Sequence, residues 1–569
     1  VLALAAVAFA TGAIVGSGHG TSPTTKLADQ FVAAWTRGDY RTMYGEIDAA
    51  SQRQLSPSQF AALYGQALGT ATATRLKLHG RTHREGALVT VPVRVRTRLF
   101  GTLALTFALT VEDQGEGPRV RWSRSLVFPG LRAGESLSRR TTLPQRATLL
   151  ARDGSVLAEG GSESSSDEAT RSSPLGESAR AVIGQVGPPP SSRLAALEAE
   201  GVPSDAAVGL SGLERALDAR LRGRPGGELL AGRRLLAYAA SHAAPAVHTT
   251  VSPDVQRAAV SALAGRLGGV VALTPSGEVL AVAGIGLEGL QPPGSTFKII
   301  TLTGALESHI ATPHTVFPYA SYATLDGVKL NNANGENCGG SLELAFAVSC
   351  NSVFTPLGVK LGAPRLVAAA ERFGFNQAPG LPGAATSTLP AASAIQGELD
   401  VGSTAIGQGQ VLATPLQMAT VAATIADGGR RPQASFLPVH SPTSPTRVTS
   451  ASVARTVRRL MIGVVRLGTG TSAAIPGVTV AGKTGTAELK TPCSATQEAS
   501  TSEGSGAEKS SCAEAESESS NTDAWFAAFA PALHPRIIVC VMLVKDGAGG
   551  DTAAPAARGV IEAGLRALR

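Results

Sequence analysis

The stretch Pro293-Gly294-Ser295-Thr296-Phe297-Lys298 decides how the rest of the chain is read. If a helix starts at the Pro-Gly turn, Ser295 and Lys298 lie three positions apart on one face, where a hydroxyl and an amine can meet. A serine hydroxyl is a poor nucleophile at neutral pH. It needs a neighbour to take its proton and N–H donors to hold the oxyanion that its attack creates. A helix N-terminus favours that developing negative charge. Taken alone, Ser-x-x-Lys is also the pattern of an ordinary helix start with a solvated lysine, so the reading depends on the motifs downstream of it.

There are two of these: Ser349-Cys350-Asn351, and Gly482-Lys483-Thr484-Gly485-Thr486. Alone, Ser349 and Asn351 read as a helix-capping pair, and Lys-Thr-Gly as a common strand end. In this order, the three elements form the signature of serine β-lactamases and penicillin-binding proteins. On these residues the chain resembles the class B penicillin-binding proteins, peptidoglycan D,D-transpeptidases. The longer string Ser403-Thr404-Ala405-Ile406-Gly407-Gln408-Gly409, followed by Thr414-Pro415-Leu416-Gln417-Met418, carries the same resemblance. Two positions depart from the pattern: Cys350 stands where the β-lactamase form has Asp, and Gln291 where an aromatic is expected. Neither departure removes a reacting group.

The resemblance implies roles for the residues. Ser295 attacks the carbonyl between the two D-alanines of a stem peptide, forming an ester and releasing D-alanine. Lys298 is the base, which requires a neutral amine and hence a pKa lowered by burial and by the nearby charge of Lys483. Ser349 relays the proton, and Asn351 holds the peptide backbone and Lys298. Lys483 and Thr484 bind the terminal carboxylate, with a hydroxyl from Thr486. The oxyanion sits between the N–H groups of Ser295 and Thr486. Gly485 lets the strand come close to the cleft. A second peptide's amine then attacks the acyl-enzyme and completes the cross-link. β-Lactams acylate the same serine, and neither a metal nor an organic cofactor is implied. The alternatives are a D,D-carboxypeptidase, with water as acceptor, and a non-catalytic β-lactam sensor or cell-wall scaffold.

Composition bounds the rest. At 569 residues the chain exceeds one hydrophobic core and suggests roughly three or four domains. Hydrophobic content is 43% but aromatic content only 4%, so the cores must be built from Ala, Val and Leu. The net charge of +7 comes from scattered arginines with no basic stripe interleaved with aromatics, which excludes a nucleic-acid partner. The five cysteines show no paired spacing of a zinc site. Cys493 and Cys512 bracket a polar loop and could pair, while Cys540 reads as a buried thiol.

In chain order, residues 1–16 come first, apolar and uncharged; as a helix they span about 24 Å, short of a roughly 30 Å hydrocarbon core, and read as the remnant of a signal anchor or signal peptide. Either form implies export, with a single-pass anchor placing the catalytic part outside the cytoplasm. Residues 24–140 show two helical patterns, Leu27–Trp35 and Tyr40–Ile47, then alternating strand-like runs from Thr74 to Val127. With Trp122 and Phe128-Pro129-Gly130-Leu131, this part resembles the NTF2-like module of penicillin-binding proteins similar to the staphylococcal methicillin-resistance protein. Residues 141–247, containing Gly209-Leu210-Ser211-Gly212-Leu213-Glu214-Arg215, look like the family's pedestal or dimerisation domain. Residues 248–569 carry the chemistry, with a Ser/Glu-rich insertion at 490–522. The expected fold is therefore multidomain α+β: an NTF2-like domain, a β-rich pedestal, and a transpeptidase domain of one antiparallel sheet with helices on it. No glycosyltransferase segment fits before the pedestal, so the resemblance also implies a separate glycan polymerase as partner.

Overall fold

The computed structural model describes residues 22–113, 115, 117–159, 171–439, 445–489 and 521–569. The apolar segment 1–16, most of the insertion expected at 490–522, and Cys493 and Cys512 lie outside the described residues. The chain divides into two compact units. One comprises residues 1–144, 189–206 and 223–243; the other comprises 145–188, 207–222 and 244–569. The chain from 141 to 247 is thus shared between them.

In the first unit, helices Pro23–Arg37, Tyr40–Glu46, Ala49–Gln54 and Pro57–Thr70 precede an antiparallel sheet of five strands. The expected α+β module is present, with two more helices than the hydrophobic pattern gives. Pro57–Thr70 buries only Phe60, Tyr64 and Ala67, so its periodicity is faint. Its start is fixed locally by a capping box, in which Ser56 and Gln59 satisfy each other's backbone donors, with Pro57 at the first turn. The strand expected at Val120–Val127 ends at Arg121. There the Asp48 carboxylate takes the N–H of Trp122 at 3.0 Å, and a 3-10 turn spans Arg124–Val127. Trp122 also donates its indole N–H to the Tyr64 hydroxyl at 3.1 Å, tying the end of the sheet to the capped helix.

The second unit is organised by an antiparallel sheet with strand order Val279–Gly284, Gly268–Leu273, Ile537–Leu543, Thr522–Ala530 and Ala481–Glu488. Both faces are dry. Val271, Trp525, Ala527 and Met542 join a core that includes Phe297, Ile300 and Met418. Val270, Phe526, Val539 and Val541 pack with Val255, Ala259, Val560 and Ile561 of helices Pro253–Leu263 and Ala553–Ala567. This is the expected antiparallel sheet with helices on it, and the structure places helices on both faces. Near-continuous apolar strands are what two-sided burial requires, each fully buried Val or Leu contributing about 1.5–3 kcal/mol. The pedestal motif contributes Glu214, fully buried and bonded to Arg146 at 2.5 Å and Arg171 at 2.7 Å. A charge buried this deeply is tolerable because it is paired.

The Lys-Thr-Gly strand is the edge of that sheet. Its free side would invite another strand, and here the Ser295 turn packs against it. A side chain at Gly485 would come within 2.7 Å of the Pro293 carbonyl.

Candidate active site

The Ser295 turn is built differently from a simple helix start. Gly294–Phe297 is a 3-10 turn, and the α-helix runs from Lys298 to Glu307. Gly294 has φ of +51°, and its amide donates to the carbonyl of Gly407 at 3.0 Å. A Cβ on Gly407 would collide with the Gly294 carbonyl oxygen, so the string Ser403–Gly409 serves as a cradle for the turn. Thr301 reinforces it, donating to the carbonyl of Ala405 at 2.6 Å. Sequence reasoning singled out this string without a role; its physical meaning is this close backbone approach.

Lys298 is fully buried. Its amine donates to the Ser349 carbonyl at 2.7 Å and to Asn351 Oδ1 at 2.7 Å, and lies 3.4 Å from Ser349 Oγ. Burial, then the charge of Lys483, pushes its pKa well below the usual lysine value. Lys483, also fully buried, donates to Ser349 Oγ at 2.8 Å and to the Thr484 carbonyl at 3.1 Å. Burial lowers its pKa to about 7. The Ser349 hydroxyl therefore stands between two amines whose pKa values are both depressed by burial. Phe354 lies 5.5 Å under Lys298 and Phe346 5.6 Å under Lys483, lining both amines with apolar surface.

Ser349 has φ of +61°, the left-handed region that costs a non-glycine residue free energy. The surroundings hold it there. Cys350 N donates to Ala345 O at 2.8 Å, and Asn351 Nδ2 donates to Asn331 O at 2.8 Å. Cys350 is bonded to Cys338, twelve residues earlier, which ties the motif to strand Cys338–Ser341. Sequence reasoning missed this disulfide, because the 12-residue spacing carries no signature and the pairing depends on how the intervening chain folds back. Closing a loop of this length is worth about 3 kcal/mol in the chain-entropy picture. Replacing Cys338 and Cys350 together by alanine is therefore expected to lower stability by about 2–4 kcal/mol in denaturant unfolding. Acylation by penicillin should slow as Ser349 leaves its strained position.

Thr484 and Thr486 extend the site along the strand. The Thr484 hydroxyl shares a hydrogen bond of 2.5 Å with that of Thr469, and Thr486 Oγ1 accepts from the amide of Gly549 at 3.4 Å. A Cβ on Gly549 would collide with the Gly485 carbonyl, so this loop crosses directly over the strand. Neither Thr469 nor Gly549 carries a motif that would have found it. Ser295, Lys298, Ser349, Asn351, Lys483, Thr484, Gly485 and Thr486 all belong to the second unit, and the three motifs meet through Lys298, Ser349 and Lys483.

Comparison with known proteins identifies the modules of the chain. The Penicillin binding protein transpeptidase domain family matches residues 268–562. The NTF2-like N-terminal transpeptidase domain matches residues 23–135, and the Penicillin-binding Protein dimerisation domain 164–233. The peptidoglycan D,D-transpeptidase PbpA of Mycolicibacterium smegmatis is 33% identical over 424 residues, covering 63% of this chain and 80% of that protein. The crystal structure of PBPA from Mycobacterium tuberculosis covers 74% of this chain and 99% of its own at TM-score 0.55 and 27% identity. A ceftriaxone acyl-enzyme complex of the same protein matches at TM-score 0.54 and 28% identity, covering 74% of this chain and 98% of that one. With its catalytic part matched across more than half its length and its N-terminal module matched as well, this chain belongs to the class B penicillin-binding protein transpeptidases with an NTF2-like N-terminal domain.

Proposed function

We propose that the protein is a peptidoglycan D,D-transpeptidase that works through a Ser295 acyl-enzyme. The observation that carries this reading is the pair of buried lysines meeting at one serine hydroxyl beside the Ser295 turn. Ser295 Oγ attacks the carbonyl of the penultimate D-alanine while its proton passes to the neutral amine of Lys298. The C–N bond to the terminal D-alanine breaks, and the departing amine takes up a proton through Ser349, which Lys483 resupplies. Lys483 and the Thr484 and Thr486 hydroxyls hold the terminal carboxylate. The backbone N–H groups of Ser295 and Thr486 receive the oxyanion. The amine of a second stem peptide then attacks the ester, restoring Ser295 and leaving a new amide. A β-lactam enters at the first step, presenting its ring carbonyl and carboxylate in the same places.

Substrate of this kind lies outside the cytoplasm, and a membrane anchor N-terminal to the described residues is inferred with it. No helix among the described residues is long and apolar enough to cross a membrane. A separate glycan polymerase is the inferred partner that supplies strands, on the resemblance to class B penicillin-binding proteins.

The test supplies a stem pentapeptide ending in D-Ala-D-Ala, with and without an acceptor amine, and monitors D-alanine release and cross-linked product by mass spectrometry. Cross-linked product with the amine supports transpeptidation. Release of D-alanine with only hydrolysed donor, at every acceptor concentration, would make the protein a carboxypeptidase.

The lysines also fix a pH dependence. Lys298 works as the neutral amine, so the rate should fall at low pH as it is protonated, well below the usual lysine range. Lys483 works as the cation, so the rate should fall again as pH rises above about 7, where it loses its proton. The second-order rate of penicillin acylation is therefore expected to be bell-shaped, with both limbs belonging to the coupled pair. A rate that climbed steadily to pH 10 would contradict the role given to Lys483.

A further inference from the structure

A second candidate site lies away from the serine. Two adjoining cavities in the second unit, of about 280 and 300 Å³, share Gly380, Gln433 and Ala434. None of Ser295, Lys298, Ser349, Asn351 and Lys483 lines either one. The first contains Arg431, half-buried and fixed by a short ladder in which it pairs with Thr446. The neighbouring Arg430 has its counter-charge, Asp427, at 3.0 Å. The Arg431 guanidinium donates to Gln377 Oε1 at 2.9 Å, and among the described residues it has no ion pair. Burial lowers its pKa from the usual arginine value.

Gly374 brings bare backbone into the wall of this cavity. Gly374 ends the helix Ala363–Phe373 with φ of +111°. A Cβ there would stand 2.5 Å from Arg431 Nη1 and 3.3 Å from Gln417 Oε1, so the guanidinium and the amide converge over the glycine. Gln417 Nε2 is already engaged, donating to the Phe373 carbonyl at 2.9 Å. Its oxygen remains to accept a donor. The adjoining cavity continues past Gln433 onto the apolar side chains of Leu217, Leu381 and Phe436. A half-buried guanidinium, an amide acceptor and an apolar slot succeed one another in space, each selecting one part of a ligand.

We propose that these cavities bind a ligand with an acylamino carboxylate end, its carboxylate on Arg431, its amide N–H toward Gln417, and its apolar tail along Leu217, Leu381 and Phe436. An N-acyl amino acid and the free C-terminus of an apolar peptide share that chemistry. The site is independent of the acyl-enzyme chemistry at Ser295.

Isothermal titration calorimetry of the full chain tests this with three probes: N-octanoylglycine, its primary amide N-octanoylglycinamide, and the peptide acetyl-Ala-Leu-Leu with a free carboxyl group. Saturable binding of a carboxylate probe is expected, weakened about ten- to a hundredfold by Arg431→Met, the range for losing a charged hydrogen-bonding partner. The amide probe should show a similar loss on the wild type. Because the Ser295 site is intact in both proteins, a signal lost on Arg431→Met belongs to the cavity. Arg431→Lys, which keeps the charge without the fork, should fall between the two. Should Arg431→Met fail to fold, Ala434→Leu, which narrows the shared wall, reads the same site and should weaken binding. Binding of the octanoyl probe alone would assign a lipid-like ligand, and of the peptide alone a polypeptide C-terminus; both support the site. Absence of saturable binding by either carboxylate up to about 10 mM, or equal affinity in wild type and variants, would overturn it.

Discussion

Replacing Ser295 by alanine is expected to abolish covalent labelling by a fluorescent penicillin, read as intact-protein mass. The wild type should gain one adduct and Ser295→Ala none at any drug concentration or time. The expectation is absolute because the neighbouring hydroxyls are committed elsewhere. Ser349 Oγ is bonded to Lys483 at 2.8 Å and sits in a backbone conformation fixed by its own loop. Thr296 donates its hydroxyl to the Pro293 carbonyl at 2.7 Å, and so is turned back into its own turn. An adduct that persisted on the alanine variant would place the nucleophile elsewhere. If the wild type also gave no adduct, turnover of a thioester substrate would separate a closed cleft from an inactive one.

The second large effect is expected at Lys298. Lys298→Met keeps the length and the packing against Phe354 but removes the base. Acylation should fall by about 10²–10⁴-fold, the usual contribution of a positioned general base. The low-pH limb of the acylation profile should vanish with it, because the group that titrates there is gone. The lost amine also leaves the Ser349 carbonyl and Asn351 Oδ1 without their donor. A second variant, Asn351→Ala, keeps Lys298 while removing one of these acceptors, and should lower the rate less and retain the limb. A Lys298→Met enzyme with near wild-type acylation would assign the proton to another acceptor, Lys483 being the other amine bonded to Ser349.

The sequence by itself determined the family and most of the architecture. Ser295, Lys298, Ser349, Asn351 and Lys483 carry hydroxyl, amine and amide groups, and such side-chain chemistry is legible one residue at a time. The strands of the catalytic sheet were legible too, because burial on both faces forces continuous apolar runs such as Ile537–Leu543. The helix Pro57–Thr70 was not, since it buries three side chains and is fixed by a cap instead of a stripe. Tertiary structure alone decided what depends on backbone meeting backbone: the 3-10 turn at Ser295, the Gly407 cradle beneath it, and the crossing of Gly549 over Gly485. It also decided that Cys350 pairs with Cys338, and that Lys298 spends its hydrogen bonds on Ser349 and Asn351. Glycine has no side chain with which to announce such an approach, and a disulfide partner is a matter of distance in space. Local pattern records which atoms are available, whereas their convergence, and with it the lowered pKa of both lysines, comes from burial that only the folded chain supplies.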